Sequence, residues 1–187
     1  SAGSFTADIV TGTHVQLAGT ALGDLIIGKS GNSSLINVNS STVVSGDIKI
    51  YSGNLTINNN ITSSDTGSDI LFQSTSNIDI NATVTTSGTS ILTINASGNV
   101  NDGSNGIFTG KIISNKLLLS GSGNVNLDST TNNISILSAG TSGSRVGSLL
   151  FLNSGAFSVG SVGSNNGIFT SGTISIASLS GDLSVSQ

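Results

Sequence analysis

Apolar residues occur along this chain in short runs that alternate with polar ones. One such run precedes each Ser-Gly-Asn or related tripeptide, as in DIKI at 47–50 and DILF at 69–72. A second run follows the tripeptide, as in LTI at 55–57 and IDI at 78–80, and a third comes later, as in NIT at 60–62. Strict alternation over such short runs is typical of β-strands with one buried face.

The tripeptide marks a corner that recurs before every third strand. Its third position is occupied in turn by Asn32, Asn54, Asn77, Asn99, Asn124, Ala156 and Asp182. Glycine supplies backbone freedom at a corner, and asparagine tolerates the left-handed conformation. Asparagine side chains that repeat at one corner can hydrogen-bond along a stack of strands. We therefore predict a structural corner ladder formed by Asn32, Asn54, Asn77, Asn99, Asn124 and Asp182.

These repeats predict an all-β fold, a single-stranded parallel β-helix (β-solenoid). We expect about eight turns of roughly 22–26 residues, each with three short strands, because one turn alone cannot bury its apolar face. The weak pattern ADIVTGTHVQL at 7–17 is counted as the first turn. The segments LLFL at 149–152 and TISI at 173–176 are assigned to the strand before the corner, with FSV at 157–159 and LSV at 183–185 after it.

The whole chain, 1–187, is assigned to one solenoid domain with irregular turns at 1–46 and regular turns at 47–187. Extra residues such as GSVGSNN at 160–166 are expected in the corner after the second strand, and GIF at 106–108 and at 167–169 are expected in third strands. A sandwich or a barrel also contains short strands at close spacing. Neither explains why the same corner recurs at every third strand.

The amino-acid composition limits the classes of function that this chain can have. Ser, Thr, Asn and Gly supply 103 of the 187 residues, whereas charged residues make up only 7% and the net charge is −4. A chain with five basic residues has no basic cluster for nucleic acid or for an anionic membrane. No apolar run reaches the roughly 18–20 residues that a membrane helix needs. The absence of cysteine removes disulfides and thiolate sites, and we expect no cofactor.

Four aspartates, Asp8, Asp24, Asp47 and Asp69, each stand at the start of a first strand in successive turns. A column of carboxylates could bind Ca²⁺, which takes six to eight oxygen ligands. The simpler interpretation, which we favour, is solvated aspartate at a strand edge. The lone His14 makes no metal site by itself.

A second group of carboxylates raises the alternative of a carbohydrate-active β-helix enzyme. Asp79 and Asp102 fall in second strands, with Asp128 nearby, and sugar cleavage requires two carboxyl groups at a defined separation. Aromatic residues amount to only 4% and tryptophan is absent, so the usual sugar-stacking platform is missing. We therefore expect no catalytic residues and no enzymatic activity.

The segments LLLSGSGNVNLDSTTNNISILSAG at 117–140 and 149–187 resemble the internal repeats of filamentous-haemagglutinin-type exoproteins. These are large β-helical adhesins exported by bacterial two-partner secretion. The resemblance implies a right-handed β-helix, secretion and a place at the cell surface. The secretion domain of that family carries Asn-Pro motifs, and this chain has no proline. The resemblance therefore implies repeat shaft from a longer protein, and none of the family's functional residues finds a match.

The expected function is that of a structural or adhesive shaft in a large secreted bacterial surface protein. Its partners would be glycans or proteins on host or neighbouring cells. They would contact the longer corners near 128–133 and 159–166, since connecting loops carry most recognition. The alternative is a subunit that associates end to end into an extracellular fibre or surface layer, because open solenoid ends expose unpaired strand edges.

Overall fold

The computed structural model describes residues 23–103 and 110–186. These residues form β-strands and no helix, and therefore no helix long and apolar enough to span a membrane. The strands are β1 (Leu25–Ile27), β2 (Ile36–Val38), β3 (Thr42–Val44), β4 (Ile48–Ser52), β5 (Leu55–Ile57), β6 (Ile61–Ser63), β7 (Ile70–Ser74), β8 (Ile78–Ile80), β9 (Thr83–Thr85), β10 (Ile91–Ala96), β11 (Val100–Asn101), β12 (Lys111–Ser120), β13 (Val125–Leu127), β14 (Asn133–Ala139), β15 (Leu149–Asn153), β16 (Phe157–Val159), β17 (Ser161–Val162), β18 (Asn165–Asn166), β19 (Ile174–Ser178) and β20 (Leu183–Val185). The predicted first turn at 7–17 and the segment at 106–108 lie outside the described residues.

The strands stack in parallel, coil upon coil, and so confirm the predicted β-solenoid, with about seven coils described. The first sheet runs β1-β4-β7-β10-β12-β14-β16-β20, and the second runs β2-β5-β8-β11-β13-β15-β19. A third side consists of β3, β6 and β9, which pair in that order and then with the start of β12.

Alternation along each strand builds one continuous core. Every second side chain points inward and lies above its counterpart in the coil below, as Ile48, Ile70 and Leu92 do in the first sheet. Leu55 and Ile78 stack in the same way in the second sheet. All five are fully buried. Because each coil covers the apolar face of the next, coils are stable only as a stack.

Two long strands, β12 and β14, continue from the third side into the first sheet without a turn, and they pair with each other along both sides. Lys111–Ile113 of β12 pairs with β9, while residues 116–120 of the same strand pair with β10. In the three preceding coils a glycine occupies this corner, and Gly67 and Gly88 there have positive φ, a conformation that favours glycine. β12 has no glycine, and the Ser114 hydroxyl fills the corner by donating to the carbonyl of Lys116 at 2.8 Å.

The predicted assignment of strands to sheets is wrong beyond β13, which itself lies in the second sheet as predicted. β15 and β19, which include the LLFL and TISI runs, belong to the second sheet, since β15 pairs with β13 and β19 with β15. β16 and β20, the FSV and LSV runs, belong to the first sheet. The interval from Asn124 to Ala156 combines one coil of the second sheet with the crossing to the first sheet. This is why it is longer than the other intervals between tripeptides.

The longest insertion is a hairpin that interrupts a first-sheet strand. Val159 pairs with Leu137, β17 and β18 then form an antiparallel hairpin, and Ile168 returns to pair with Ala139. Its base is closed by the Gly167 amide, which donates to the Gly160 carbonyl at 3.1 Å. The prediction that 160–166 extends a corner after the second strand is therefore wrong, as is the assignment of 167–169 to a third strand.

Candidate functional site

Three of the four aspartates proposed as a column lie one above another, directly before β1, β4 and β7. The Asp24 carboxylate accepts a hydrogen bond from the Asp47 amide at 2.8 Å, and Asp47 accepts one from the Asp69 amide at 2.9 Å. Asp69 in turn accepts from the amide of Ile91 at 2.8 Å. One carboxylate oxygen of each aspartate therefore joins its coil to the next coil.

Asp8 lies outside the described residues. Within the described residues, no group of three or more His, Cys, Asp or Glu side chains is placed to hold a metal ion.

The Lys49 ammonium contacts the second oxygen of Asp47 at 3.4 Å, and both side chains are exposed. Such a surface ion pair contributes little to stability.

The corner before the second sheet uses asparagine in the same way. The Asn54 side-chain oxygen accepts from the Asn77 amide at 3.2 Å, and that of Asn77 accepts from the Asn99 amide at 2.8 Å. Asn124 stands at the same position before β13, and its side-chain oxygen accepts from the Ser148 amide at 2.9 Å. The Ser148 hydroxyl then accepts from the Thr173 amide at 3.3 Å. The column continues through serine and threonine, and Ala156 takes no part in it.

Two residues of the predicted ladder lie elsewhere. The Asn32 amide group donates to the carbonyl of Tyr51 at 2.9 Å, and its oxygen accepts from the amide of Ser34 at 3.0 Å. Asp182 precedes β20 of the first sheet, where its backbone carbonyl accepts from the Phe157 amide at 3.1 Å. The structure therefore brings together Asn54, Asn77, Asn99 and Asn124, and it places Asn32 and Asp182 outside their column.

A ladder that the sequence analysis missed lies at the far end of the second sheet. Asn58 donates from its side-chain amide to the side-chain oxygen of Asn39 at 2.9 Å, and Asn81 donates in the same way to Asn58 at 3.0 Å. Each of the three follows the last residue of β2, β5 or β8. The recurrence of asparagine directly after Val38, Ile57 and Ile80 is a sequence signal that could have found it.

Asp79 and Asp102 do not form the carboxylate pair that sugar cleavage would require, because they point to opposite sides of the second sheet. Asp79 faces outward and accepts from the side-chain amide of Asn101 at 3.1 Å. Asn101 pairs with Asp79 below and Asn126 above, so Asp102 lies between Ile80 and Leu127 in the inward column. The exposed fraction of Asp102 is 1%.

The buried carboxylate of Asp102 is held by three donors. It accepts from the amides of Asp128 at 3.1 Å and Ser129 at 2.9 Å, and from the side-chain amide of Asn132 at 2.8 Å. Burial raises the pKa of Asp102 above its ordinary value, the negative charge of Asp128 adds to this, and the hydrogen bonds from Asn132 and Ser129 oppose it.

Two buried asparagines, also missed by the sequence analysis, replace strand pairing inside the solenoid. Asn132 accepts from the amide of Ile112 at 2.9 Å and donates to the carbonyl of Leu127 at 3.3 Å. Asn153 accepts from the amide of Ile134 at 2.9 Å and donates to its carbonyl at 3.1 Å. Both side chains satisfy backbone groups that would otherwise be buried without partners.

The loop at 140–146 and the hairpin insertion at 160–171 pack against each other on the outside of the solenoid. Asn165 donates from its side chain to the carbonyl of Gly140 at 3.2 Å, and Arg145 donates to that of Thr170 at 3.1 Å. Arg145 is exposed. Two side-chain hydrogen bonds therefore join the loop to the insertion.

In comparisons with known proteins, no family, no curated protein and no solved structure matches this chain.

Proposed function

We propose that the chain is a structural and adhesive shaft, without catalytic activity, in a large secreted bacterial protein of the cell surface. The observation that carries this proposal is the use of the corner side chains. The Asp and Asn columns and the Asn ladder connect one coil to the next, through backbone amides or each other. In this proposal the polar Asp and Asn side chains serve to stiffen a rod. Its seven or so coils, at about 4.8 Å spacing, rise about 34 Å.

Recognition in this proposal belongs to the segments that leave the regular coils. The corner at 128–133 and the paired loops at 140–146 and 160–171 present hydroxyl and amide groups together with Arg145. Such groups suit glycans or polar protein surfaces on host or neighbouring cells. The rod holds these segments at a fixed height and orientation.

Antibody raised against the purified chain provides the test. Immunogold labelling should decorate intact cells of the bacterium that makes the protein, because a surface shaft is reachable from outside. An antibody against a cytosolic protein should label the same cells only after permeabilisation. Labelling with the shaft antibody that also requires permeabilisation would contradict the proposal.

A second candidate function is end-to-end assembly into an extracellular fibre or layer, with the coil of β19 and β20 as the contact surface. Ile174, Leu183 and Val185 are 51%, 38% and 65% exposed. Their partners one coil earlier, Leu149, Phe157 and Val159, are all buried. A second copy of the chain stacked on this coil would cover these side chains and pair the free strand edges.

Sedimentation velocity over a concentration series tests the assembly. We expect species larger than one chain at high concentration, and we expect Leu183→Lys to abolish them by placing a charge in the stacked interface. Ser184→Lys is the matched control, since Ser184 lies on the same strand but alternates with the apolar positions. A single monomeric species at every concentration, or equal effects of both substitutions, would rule this function out.

A further inference from the structure

The corner at 128–132 brings a second carboxylate to the buried Asp102. Asp102 occupies a position that is apolar in the coils on both sides, where Ile80 and Leu127 point into the core. The backbone amide of Asp128 donates to one of its oxygens at 3.1 Å, and the charge of the Asp128 carboxylate acts on Asp102. Asp102 is therefore fully buried beside a second acidic residue, Asp128, which is half-buried.

Asp128 supplies an acceptor that the hydrogen bonds of this corner do not use. Its Oδ1 atom is buried and, among the described residues, has no hydrogen-bond partner. An ionised oxygen in this condition is costly, because it has lost water without gaining a donor. A proton carried by Asp102 would provide the missing donor.

We propose that Asp102 and Asp128 form a proton-binding pair in the wall of the solenoid. The carboxylate of Asp102 takes one proton from solvent and becomes a carboxylic acid, and its O–H group then donates to Oδ1 of Asp128. The two residues are already joined through the Asp128 amide, and the charge of Asp128 acts on Asp102. The pair holds one proton and one negative charge, as coupled carboxyl groups do.

The other charged side chains on the strands next to Asp102 point away from it. Asp79, on the strand packed below Asp102, faces outward to Asn101. Lys111, at the start of β12, alternates with the buried Ile112 and also faces outward. Of the charged groups in the described residues, Asp128 is the one whose charge acts on Asp102.

Protonation has a defined effect on stability. Because burial raises the pKa of Asp102 in the folded state, the folded chain binds this proton more tightly than the unfolded chain does. The contribution of Asp102 to the free energy of unfolding therefore increases as the pH falls through the raised pKa, and it is complete below the ordinary value of 3.8. This sign is opposite to that of a carboxylate whose pKa is lowered by folding.

Carbon-13 NMR of the aspartate carboxyl groups, followed as a function of pH, tests the pair. We expect Asp102 to titrate at higher pH than an ordinary aspartate in the wild-type chain. Asp128→Asn and Asp128→Ala should both move this titration to lower pH, because each removes the neighbouring charge. Asp79→Asn is the control and should leave it unchanged. In urea unfolding, acidification should raise the stability of the wild type relative to Asp102→Asn.

Three results would overturn the proposal. The first is an ordinary or lowered pKa for Asp102, and the second is an equal effect of the Asp128 and Asp79 substitutions. The third is a shift of both carboxyl resonances on addition of calcium chloride at constant neutral pH. That shift would show that the pair holds a cation and not a proton.

Discussion

Replacement of Phe72 by alanine should lower the free energy of unfolding by about 3–5 kcal/mol. Phe72 is fully buried and among the largest side chains of the core. It stacks between Ile50 in the coil below and Ile94 in the coil above. The coils are held at the spacing of their backbone hydrogen bonds, so the neighbours cannot close the cavity that the ring leaves. Equilibrium unfolding in guanidinium chloride measures the loss.

Leu71→Ala is the matched control for this substitution. Leu71 lies on the same strand, is equally apolar and faces outward between Lys49 and Thr93. Its truncation should cost much less, because it leaves a surface depression that water can fill and not a cavity. Equal losses for the two variants would show that the inward column does not carry the stability of the solenoid.

Replacement of Gly123 by alanine should cost about 1–3 kcal/mol, although it adds only one methyl group. A Cβ atom at Gly123 would overlap the backbone carbonyl of Gly98, which is the corresponding corner residue one coil below. Backbone cannot move aside as a flexible side chain can, so the two coils would have to separate at this corner. Thermal unfolding and the loss of amide-exchange protection around residues 98–99 measure the effect.

Gly143→Ala provides the comparison, since a Cβ atom there meets nothing within 4 Å. That substitution should leave the stability unchanged or raise it slightly by restricting the unfolded chain. If Gly123→Ala were as stable as Gly143→Ala, the close contact between corners would not exist in solution.

The architecture could be predicted from the sequence because each strand carries its own evidence. Alternation such as Ile48-Lys49-Ile50 identifies an inward and an outward side without reference to any other strand. The repetition of that pattern at a nearly constant interval then implies stacking, since one coil has nothing else to pack against. The parallel sheets and the single core of the structure follow from these two observations.

The sheet to which each strand belongs could not be predicted beyond β13, and the reason is chemical. Asp47 before the first sheet and Asn77 before the second sheet have the same task, which is to accept the amide of the next coil. Any small polar acceptor performs it, as Ser148 shows. The tripeptide therefore identifies a corner, but it does not tell which sheet the next strand joins. Up to β13 it precedes strands of the second sheet, whereas before β16 and β20 it precedes strands of the first sheet.

The inward position of Asp102 could have been predicted from alternation, because Val100 is inward and Asn101 outward. The roles of Asn132 and Asn153 could not. Both replace hydrogen bonds that a regular strand would have made, and no local pattern distinguishes them from the other asparagines of the chain. Only the path of the backbone through the corner at 128–132 reveals that these amides are needed inside.

The hydrogen bonds of the two corner columns have a direction. In each of them the acceptor belongs to the earlier coil and the donor to the later one, from Asp24 to Ile91 and from Asn54 to Asn99. A chain that emerges amino end first therefore finds the acceptors for its next coil already in place. Each finished coil serves as a template for its successor, and the rod can lengthen by ordered winding while the rest of the polypeptide is still being delivered.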